Sequence, residues 1–335
     1  MFVENFNTIP KPRTYTFGQI ARKLGRHIAI IDLGTNTFHL LIFKLEDDGD
    51  FYEIYKHQIH TQLGEGGLKA NEILPSAIER GKQALCEMQV ILTDLGIKEI
   101  VACGTSALRS TTNGPLFKQQ ASQILGVDIQ ILSGIEEAEL IFKGVSATTK
   151  KYEDPILVMD IGGGSVEFII SRKEEILWEK SYPMGGLRLA EQFHLSNPMN
   201  AININALKAY VNGQFNELYQ QVKTHSVKRL VGAAGSFETL ANIEHLTMLN
   251  KELPTGETLI EIDVQSAYKI IELIKNSTFD ELRLIPGMAS FRVKLITVSL
   301  LMVETLMHQI GIEFLAYSHY SLKEGLFLNY LEKNA

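Results

Sequence analysis

The chain has 335 residues, of which 45% are hydrophobic and 21% are charged, and its formal net charge at pH 7 is −7. This composition predicts a globular protein of about two domains, and it argues against a nucleic-acid partner because there is no overall basic field. The two cysteines, Cys86 and Cys103, cannot form a disulfide framework and lack metal-ligand spacing, which fits a reducing, cytoplasmic location.

The first 26 residues contain Pro10, Pro12 and several basic side chains, and we predict that they form an extension outside the first core. No signal-peptide pattern precedes Ile28. No uninterrupted apolar run reaches the length of a membrane span, because Lys294 and Glu304 break the stretch 293–310. We therefore expect no membrane partner.

A hairpin with an anion-binding loop is predicted over residues 28–43, IAIIDLGTNTFHLLIF. Apolar, β-branched strands flank a small loop in which Thr35, Asn36 and Thr37 offer backbone N–H groups and hydroxyls. Asp32, at the end of the first strand, can bind a hydrated Mg²⁺ ion or a water. An ordinary hairpin with a tight turn is the alternative.

The rest of the first half alternates strands and helices. We predict a strand over 51–59, a helix from Pro75 to Gly96, a strand over 99–103, a helix over 115–125 and a strand over 127–132. The segment GTSALRS (104–110) places Arg109 beyond the C-terminal end of a strand, where α/β sheets tend to carry function. Arginine suits phosphate through its bidentate fork, although a surface salt bridge is the alternative.

Three acidic residues follow the next strand, in ILSGIEEAELIF (131–142): Glu136, Glu137 and Glu139. Acidic residues at a helix start complement the helix dipole, so capping is the simple explanation. The alternative is catalytic, because a positioned carboxylate can accept a proton from a water that attacks a phosphoanhydride. Burial beside phosphate would raise the pKa of such a glutamate towards neutrality.

A second hairpin, ILVMDIGGGSVEFII (156–170), repeats the pattern of the first. Its loop contains Gly162, Gly163, Gly164 and Ser165, and glycines let a backbone approach an anion closely. Asp160 matches Asp32 as a candidate metal ligand, and Glu167 is a second carboxylate that can face the same cleft. The duplication argues against two ordinary turns.

The second half repeats the scheme of the first. We predict strands over 176–182, 229–232 and 314–317, and helices over 203–223, 264–275, 290–310 and from 321 onward. A third glycine turn, VGAAGSFETL (231–240), contains Gly235 and Ser236; Ser236 is the predicted N-cap of a helix whose first N–H groups can hold another anion. Hairpins joined to βα units, twice over, predict two similar α/β lobes with a ligand cleft between them.

Six segments resemble, in order and spacing, the exopolyphosphatase and guanosine pentaphosphate phosphohydrolase (Ppx/GppA) family: DLGTNTFH, GTSALR, SGIEEAELIF, DIGGGSVEF, MGGLRL and GAAGSFETLA. The resemblance implies an α/β fold of two RNase H-like lobes, as in the actin-like ATPase superfamily, with the active site in the interlobe cleft. It also implies Mg²⁺-dependent release of terminal phosphate from inorganic polyphosphate or guanosine pentaphosphate.

The chain resembles the short, two-lobe form of the family. Residues 1–26 would be an extension, residues 27–140 lobe I with the first phosphate loop, and residues 141–335 lobe II with the second loop. The C-terminal helix would be free to pack back on lobe I.

The resemblance also assigns roles to individual residues. Glu137 matches the catalytic glutamate, with Glu167 as a second acid, and Asp32 and Asp160 are the metal candidates. The phosphate-binding residues would be Thr35, Asn36, Thr37, Arg109, Gly162, Gly163, Gly164, Ser165, Gly235, Ser236 and Arg292. Ser318–His319 and residues 288–298 depart from the common pattern, which leaves the choice between polyphosphate and guanosine pentaphosphate open.

Two other functions remain open. One is an actin-fold ATP-dependent kinase or ATPase, which is disfavoured because the acid lies at the start of the second lobe and no sugar-binding segment is evident. The other is a non-catalytic polyphosphate-binding sensor, which is disfavoured by the intact Glu137, Asp160 and Arg109. Whether the protein forms a homodimer is also open.

Overall fold

The computed structural model describes residues 26–46, 50–194 and 196–334. The predicted N-terminal extension lies outside the described residues, apart from Arg26, which begins the first strand. The described chain forms two mixed β-sheets with flanking helices, so the predicted α/β class is confirmed.

The first sheet has five strands in the order β3-β2-β1-β4-β5. They are β1 (Arg26–Leu33), β2 (Phe38–Leu45), β3 (Phe51–Ile59), β4 (Glu99–Gly104) and β5 (Ile129–Ile131). Strand β1 pairs antiparallel with β2 and parallel with β4. The helices of this part are α1 (Pro75–Asp94), α2 (Ser106–Ser110) and α3 (Gly114–Leu125).

The second sheet has six strands in the order β10-β11-β9-β6-β7-β8. They are β6 (Ile156–Ile161), β7 (Val166–Arg172), β8 (Glu175–Tyr182), β9 (Arg229–Ala233), β10 (Leu259–Ile262) and β11 (Phe314–Ser318). Without the edge strand β10, its order and strand directions repeat those of the first sheet. The two predicted RNase H-like lobes are therefore confirmed.

Lobe II carries most of the remaining helices. They are α5 (Gly186–Phe193), α6 (Ala201–Gln214), α7 (Asn216–Thr224), α8 (Ala234–Thr247), α9 (Val264–Asn276), α10 (Phe279–Leu284) and α11 (Val293–Ile310). Two further helices, α4 (Gly134–Thr148) and α12 (Leu322–Lys333), lie between the two sheets. Strand β6 is buried along its whole length, which is why its sequence is continuously apolar up to Asp160.

Three hydrophobic clusters hold the described chain together. Each sheet has an outer core under its own helices, and a third core fills the space between the sheets. In that central core Phe43 of β2 stacks on Phe327 of α12 with ring centroids 4.0 Å apart. Helix α12 also contacts β1, while α4 contacts β7 and β8. The contact of α12 with β1 agrees with the expectation that the C-terminal helix packs back on lobe I, and the division into residues 27–140 and 141–335 stays a prediction.

Helices α4 and α12 cross at two glycines. A Cβ atom added at Gly325 would lie 1.8 Å from the Leu140 carbonyl oxygen, and one added at Gly144 would lie 2.2 Å from the Ser321 carbonyl oxygen. No side chain fits at either position. The crossing therefore fixes how the first turns of the two helices lie relative to each other.

We expect Gly325→Ala to lower the free energy of unfolding by about 1–3 kcal/mol, because overpacking at a backbone contact forces the helices apart. Denaturant unfolding measures this change. The control is Gly213→Ala in α6, where an added Cβ meets nothing within 4 Å. That control should stabilise the helix by about 0.5–1 kcal/mol, since alanine is the better helix former. Equal effects of the two substitutions would contradict the crossing argument.

Several elements differ from the sequence prediction. The helix predicted over 203–223 is two helices that meet at Phe215, whose ring is buried in the lobe II core. The structure also has elements that were not predicted: α2, α5, α10 and β10. All four are short, so their hydrophobic periodicity gives little signal.

One core helix has the composition of a membrane span. Residues Ser290–Ile310 are long and apolar enough to cross a membrane by length and composition, despite Lys294 and Glu304. However, 72% of the apolar stretch is buried inside the protein. Helix α11 packs against α6 and α9, so its apolar surface is explained by the core of lobe II.

Candidate active site

A cavity of about 180 Å³ lies between the lobes, at the edge where β1 and β6 end. Both duplicated loops line it, as do both aspartates that end the duplicated strands. The predicted site residues on its wall are Asp32, Thr35, Asn36, Thr37, Glu137, Asp160, Gly162, Gly163, Gly164, Ser165, Gly235, Ser236 and Arg292. Two predicted site residues, Arg109 and Glu167, do not line the cavity but lie directly behind it.

The two loops touch each other across the cleft. A Cβ atom added at Gly163 would lie 3.1 Å from Thr35 Cβ, and one added at Gly164 would lie 3.0 Å from Thr35 Oγ1. Thr35 is buried, and its hydroxyl accepts a hydrogen bond from the Ala107 amide at 3.1 Å. The glycines are therefore required for the loops to approach this closely, which brings the backbone of both lobes to one small volume.

The second loop is also tied to lobe I by an arginine of the MGGLRL segment. Arg188 donates hydrogen bonds to the Gly164 carbonyl at 3.0 Å in lobe II, and to the Leu68 carbonyl at 3.2 Å and the Ser110 hydroxyl at 2.9 Å in lobe I. This side chain was not among the predicted site residues. Its guanidinium has a structural role, because it joins the second loop to both lobe I segments.

Asp32 and Asp160 face the same cavity and are almost fully buried. Burial raises the pKa of Asp32 to about 6 and that of Asp160 to about 7, and the charge of Asp32 adds to the rise at Asp160. Asp32 Oδ1 is buried without a hydrogen-bond partner. These features fit a bound cation, which would stabilise both ionised carboxylates.

The described residues contain no cluster of three or more His, Cys, Asp or Glu side chains arranged to hold a metal ion. Mg²⁺ does not require such a cluster. It commonly uses one or two carboxylates together with waters and substrate phosphates. The pair of aspartates therefore fits Mg²⁺ better than a metal that needs a complete protein cage.

The burial of the Asp32 carboxyl predicts how the stability of the folded protein depends on pH. Between the usual pKa near 3.8 and the raised value of about 6, the folded chain binds more protons than the unfolded chain, so stability falls as pH rises. In metal-free buffer at pH 8 we expect Asp32→Asn to stabilise the protein by about 1–2 kcal/mol, because one pKa unit corresponds to about 1.4 kcal/mol. The gain should shrink as the pH falls below 6.

Thermal unfolding at pH 8 and pH 5 with a chelator measures this effect. Asp154→Asn is the control, because Asp154 is exposed and should show no pH-dependent difference. A gain that is the same at both pH values would contradict the electrostatic explanation.

The first turn of α4 separates the roles of two adjacent acids. Ser133 is the N-cap: its hydroxyl accepts from the Glu136 amide, and the Glu136 carboxylate accepts from the Ser133 amide at 2.7 Å. Glu136 is therefore the acid that completes the capping box at the start of α4. Glu137 is buried on the cavity wall.

Arg109 holds Glu137 in place. Its Nη1 donates to Glu137 Oε2 at 2.8 Å and to the Leu132 carbonyl at 2.7 Å. Burial raises the pKa of Glu137 to about 7, although the Arg109 charge and hydrogen bond act in the opposite direction. A carboxylate near neutrality can exchange a proton at physiological pH.

Glu167 lies behind the cavity wall on β7. Its Oε1 accepts a hydrogen bond from the Ser181 hydroxyl at 2.7 Å, and the residue is 1% exposed. Burial, followed by the charge of Glu137, raises the pKa of Glu167 well above its usual range. Glu167 therefore lies close enough to Glu137 for the two carboxyl groups to interact electrostatically.

Strand register assigns Glu167 a counterpart in lobe I. Asp160 pairs with Glu167 as Asp32 pairs with His39. His39 lines the cavity, its Nδ1 is buried without a partner, and burial lowers its pKa well below the usual value. Aligning the two duplicated motifs in the sequence would have identified this residue.

The third glycine turn also reaches the cavity, but not as predicted. Helix α8 begins at Ala234 with Ala233 as its N-cap, so the prediction that Ser236 is the N-cap is wrong. Ala234 has φ +60°, a strained conformation for a residue with a Cβ atom. Such strain often accompanies a functional loop.

Arg292 is bound by this turn through three of its five N–H donors. Its Nη1 donates to the Gly235 carbonyl at 2.6 Å and to Thr239 Oγ1 at 2.9 Å, and its Nη2 donates to Glu238 Oε2 at 2.7 Å. The guanidinium also lines the cavity.

Comparison with known proteins gives consistent results. A family model described as the Ppx/GppA phosphatase family matches residues 41–334. A guanosine-5'-triphosphate,3'-diphosphate pyrophosphatase of Pseudoalteromonas translucida is 30% identical over 305 residues, covering 90% of this chain and 59% of that protein. A protein of the same name from Vibrio vulnificus is 35% identical over 215 residues, covering 64% of this chain and 43% of that protein. The chain spans about half the length of the curated relatives it matches.

Solved structures match the chain more completely. The crystal structure of an exopolyphosphatase from Cytophaga hutchinsonii has a TM-score of 0.88 and 32% identity, and the match covers 92% of this chain and 98% of that one. A Ppx/GppA family member from Aquifex aeolicus has a TM-score of 0.75 at 21% identity, with the same coverages of 92% and 98%. The second comparison supports the fold alone.

Proposed function

The chain belongs to the Ppx/GppA phosphatase family, and from that membership we propose that it hydrolyses terminal phosphoanhydride bonds. The substrate is inorganic polyphosphate, guanosine pentaphosphate or both, and the product is orthophosphate. One observation carries the proposal above all others. A glutamate with a raised pKa, Glu137, lies on the wall of a cavity that two glycine and hydroxyl loops line from opposite lobes.

Glu137 acts as the general base. Its ionised carboxylate accepts the proton of a water as that water attacks the terminal phosphorus. Arg109 keeps the carboxylate oriented towards the cavity through the 2.8 Å hydrogen bond. Backbone N–H groups of the loops around Asn36 and Gly163 bind the phosphate oxygens, because consecutive N–H groups attract an anion.

Asp32 and Asp160 hold the metal, which we propose is Mg²⁺. When bound there, Mg²⁺ neutralises charge on the phosphate oxygens and on the leaving group. The unpartnered Oδ1 of Asp32 supports this assignment. Glu167 is proposed as the second acid of the site, since it lies close enough to Glu137 for the Glu137 charge to raise its pKa.

The remaining predicted roles are also part of the proposal. Phosphate contacts are expected from the three loops: Thr35, Asn36, Thr37, Gly162, Gly163, Gly164, Ser165, Gly235, Ser236 and the neighbouring Arg292. The net charge of −7 and the two free cysteines support a cytoplasmic enzyme without a nucleic-acid partner. Formation of a homodimer is a further proposal, which sedimentation would test.

The decisive experiment measures orthophosphate release from long polyphosphate, short polyphosphate and guanosine pentaphosphate. Each substrate is compared with and without Mg²⁺, and ATP is included as a fourth substrate. We expect Mg²⁺-dependent release from at least one of the first three substrates. Release from ATP alone would favour an actin-fold ATPase, and tight polyphosphate binding without release would favour a sensor. Either result would overturn the proposal that the protein hydrolyses polyphosphate or guanosine pentaphosphate.

A further inference from the structure

A lysine that the sequence motifs did not single out lines the same cavity. Lys323 lies in the first turn of α12, two residues after the N-cap Ser321. It is half-buried, and its interactions with Asp32, Asp160 and Glu324 are Coulombic without a hydrogen bond. Within residues 26–46, 50–194 and 196–334, its ammonium therefore has no hydrogen-bonded or ion-paired partner.

Arg292 also lines the cavity, but its guanidinium has hydrogen-bond partners within the protein. Three of the five N–H donors of Arg292 are bound to Gly235, Thr239 and Glu238. Arg109 is also committed, to Glu137 and a carbonyl, and lies behind the wall. The three N–H donors of Lys323 thus remain available to a ligand in the cavity.

The position of Lys323 is unfavourable for the helix itself. The first turn of a helix carries positive partial charge, so a cation there is destabilising by a few tenths of a kcal/mol or more. The first turn of α4 instead carries two acids, Glu136 and Glu137, as the helix dipole favours. Helix stability therefore does not explain why a lysine occupies this position.

The crossing of α4 and α12 brings Lys323 and Glu137 to one site. Each residue lies in the first turn of its helix, and both helices begin at the cavity. The backbone contacts at Gly144 and Gly325 fix this relation. The proposed base and the free ammonium are thus held on one cavity by a rigid contact.

We propose that Lys323 binds the terminal phosphoryl group, with its ammonium donating hydrogen bonds to the phosphate oxygens while Glu137 directs the water. This inference rests on the proposed function, because it assigns the cation for the same reaction. Lysine suits this role as a compact charge that can follow a phosphate which moves during hydrolysis. The charges of Glu324, Asp32 and Asp160 outweigh burial and raise the pKa of Lys323, which favours its charged form.

The alternative is that Lys323 only balances the charges of Asp32 and Asp160. A double-variant comparison separates the two roles. The variants are Lys323→Met, Asp32→Asn and the combination of both, with Lys323→Arg as the conservative change and Lys333→Met as a matched control at the far, exposed end of α12. Two quantities are measured: kcat/KM for phosphate release with Mg²⁺, and binding of tripolyphosphate by calorimetry in the presence of a chelator.

If Lys323 contacts phosphate, Lys323→Met should lower kcat/KM by about 10- to 100-fold, the range expected for a lost charged hydrogen bond. Tripolyphosphate binding without metal should weaken by about tenfold, and by the same factor in the Asp32→Asn background. Lys323→Arg should retain most of the parent affinity because it keeps a cation, and Lys333→Met should behave as the parent.

A binding loss that disappears in the Asp32→Asn background would overturn the contact and leave only charge balance. So would parent-like binding and turnover by Lys323→Met. If the parent protein releases no phosphate from any substrate, the proposed function fails. The calorimetric measurement of tripolyphosphate binding still decides whether Lys323 binds phosphate. The two failures are therefore distinguishable.

Discussion

Glu137→Gln should lower the rate of phosphate release by about 10²–10⁴-fold, the usual cost of removing a general base. Glutamine keeps the shape of the side chain but cannot accept the proton of the attacking water. Substrate binding should change little, because the loops that hold the phosphate are contributed by other residues. Phosphate release at saturating substrate with Mg²⁺ measures the first effect, and calorimetric binding of the substrate measures the second.

Glu136→Gln is the matched control for this prediction. Glu136 precedes Glu137 directly, but its carboxylate accepts the Ser133 amide in the capping box. We expect it to cost about 0.5–2 kcal/mol of stability at most and to leave the turnover rate near that of the parent. Turnover at the parent rate by Glu137→Gln, or equal losses in both variants, would show that Glu137 is not the base.

Arg109→Met should lower activity at pH 7 by about 10²-fold, because an opposite charge shifts a carboxyl pKa by about 1–3 units and each unit changes the ionised fraction of the base up to about tenfold. Burial already raises the pKa of Glu137 to about 7, and Arg109 opposes that rise. Without the arginine the pKa should rise further, so a smaller fraction of Glu137 is ionised at neutral pH. The base must be ionised to act, so activity should recover in part as the pH is raised.

The pH dependence of kcat between pH 6 and pH 10 measures this shift. The acid limb should move to higher pH in Arg109→Met and by a smaller amount in Arg109→Lys, which keeps the charge but loses the planar fork. Arg283→Met is the control, because Arg283 is exposed on α10 and pairs only with Asp280 of its own helix turn. An unchanged acid limb in Arg109→Met would mean that the arginine does not tune Glu137.

Much of the site could be predicted because it lies within continuous segments. Each duplicated motif contains a strand, an aspartate and a loop in fewer than twenty residues, and the structure brings the two copies together at one cavity. The glycines in the second loop were expected to let the backbone approach an anion, which stays a prediction, and the structure places them against Thr35 of the other lobe. The sequence could not name that partner, since it lies more than a hundred residues away.

The acidic segment after β5 shows where sequence reasoning reaches its limit. Glu136 and Glu137 are adjacent, and both capping and catalysis were reasonable explanations. The structure gives the capping contact to Glu136 and places Glu137 on the cavity wall, because neighbouring positions on a helix point about 100° apart. Only the direction of the helix relative to the cleft decides which acid faces the cavity.

The sequence by itself determined the α/β class, the duplication, the positions of the three glycine-containing loops and the family. These properties depend on local patterns: strand periodicity, glycine content and the spacing of short motifs. It did not determine that Arg109 pairs with Glu137, that Arg292 is bound by the third turn, or that Lys323 shares the cavity. Those facts depend on how distant segments cross, above all on the contact of α4 with α12 at Gly144 and Gly325. Backbone contacts between residues 181 positions apart in sequence leave no periodic signal, so only the tertiary structure decides them.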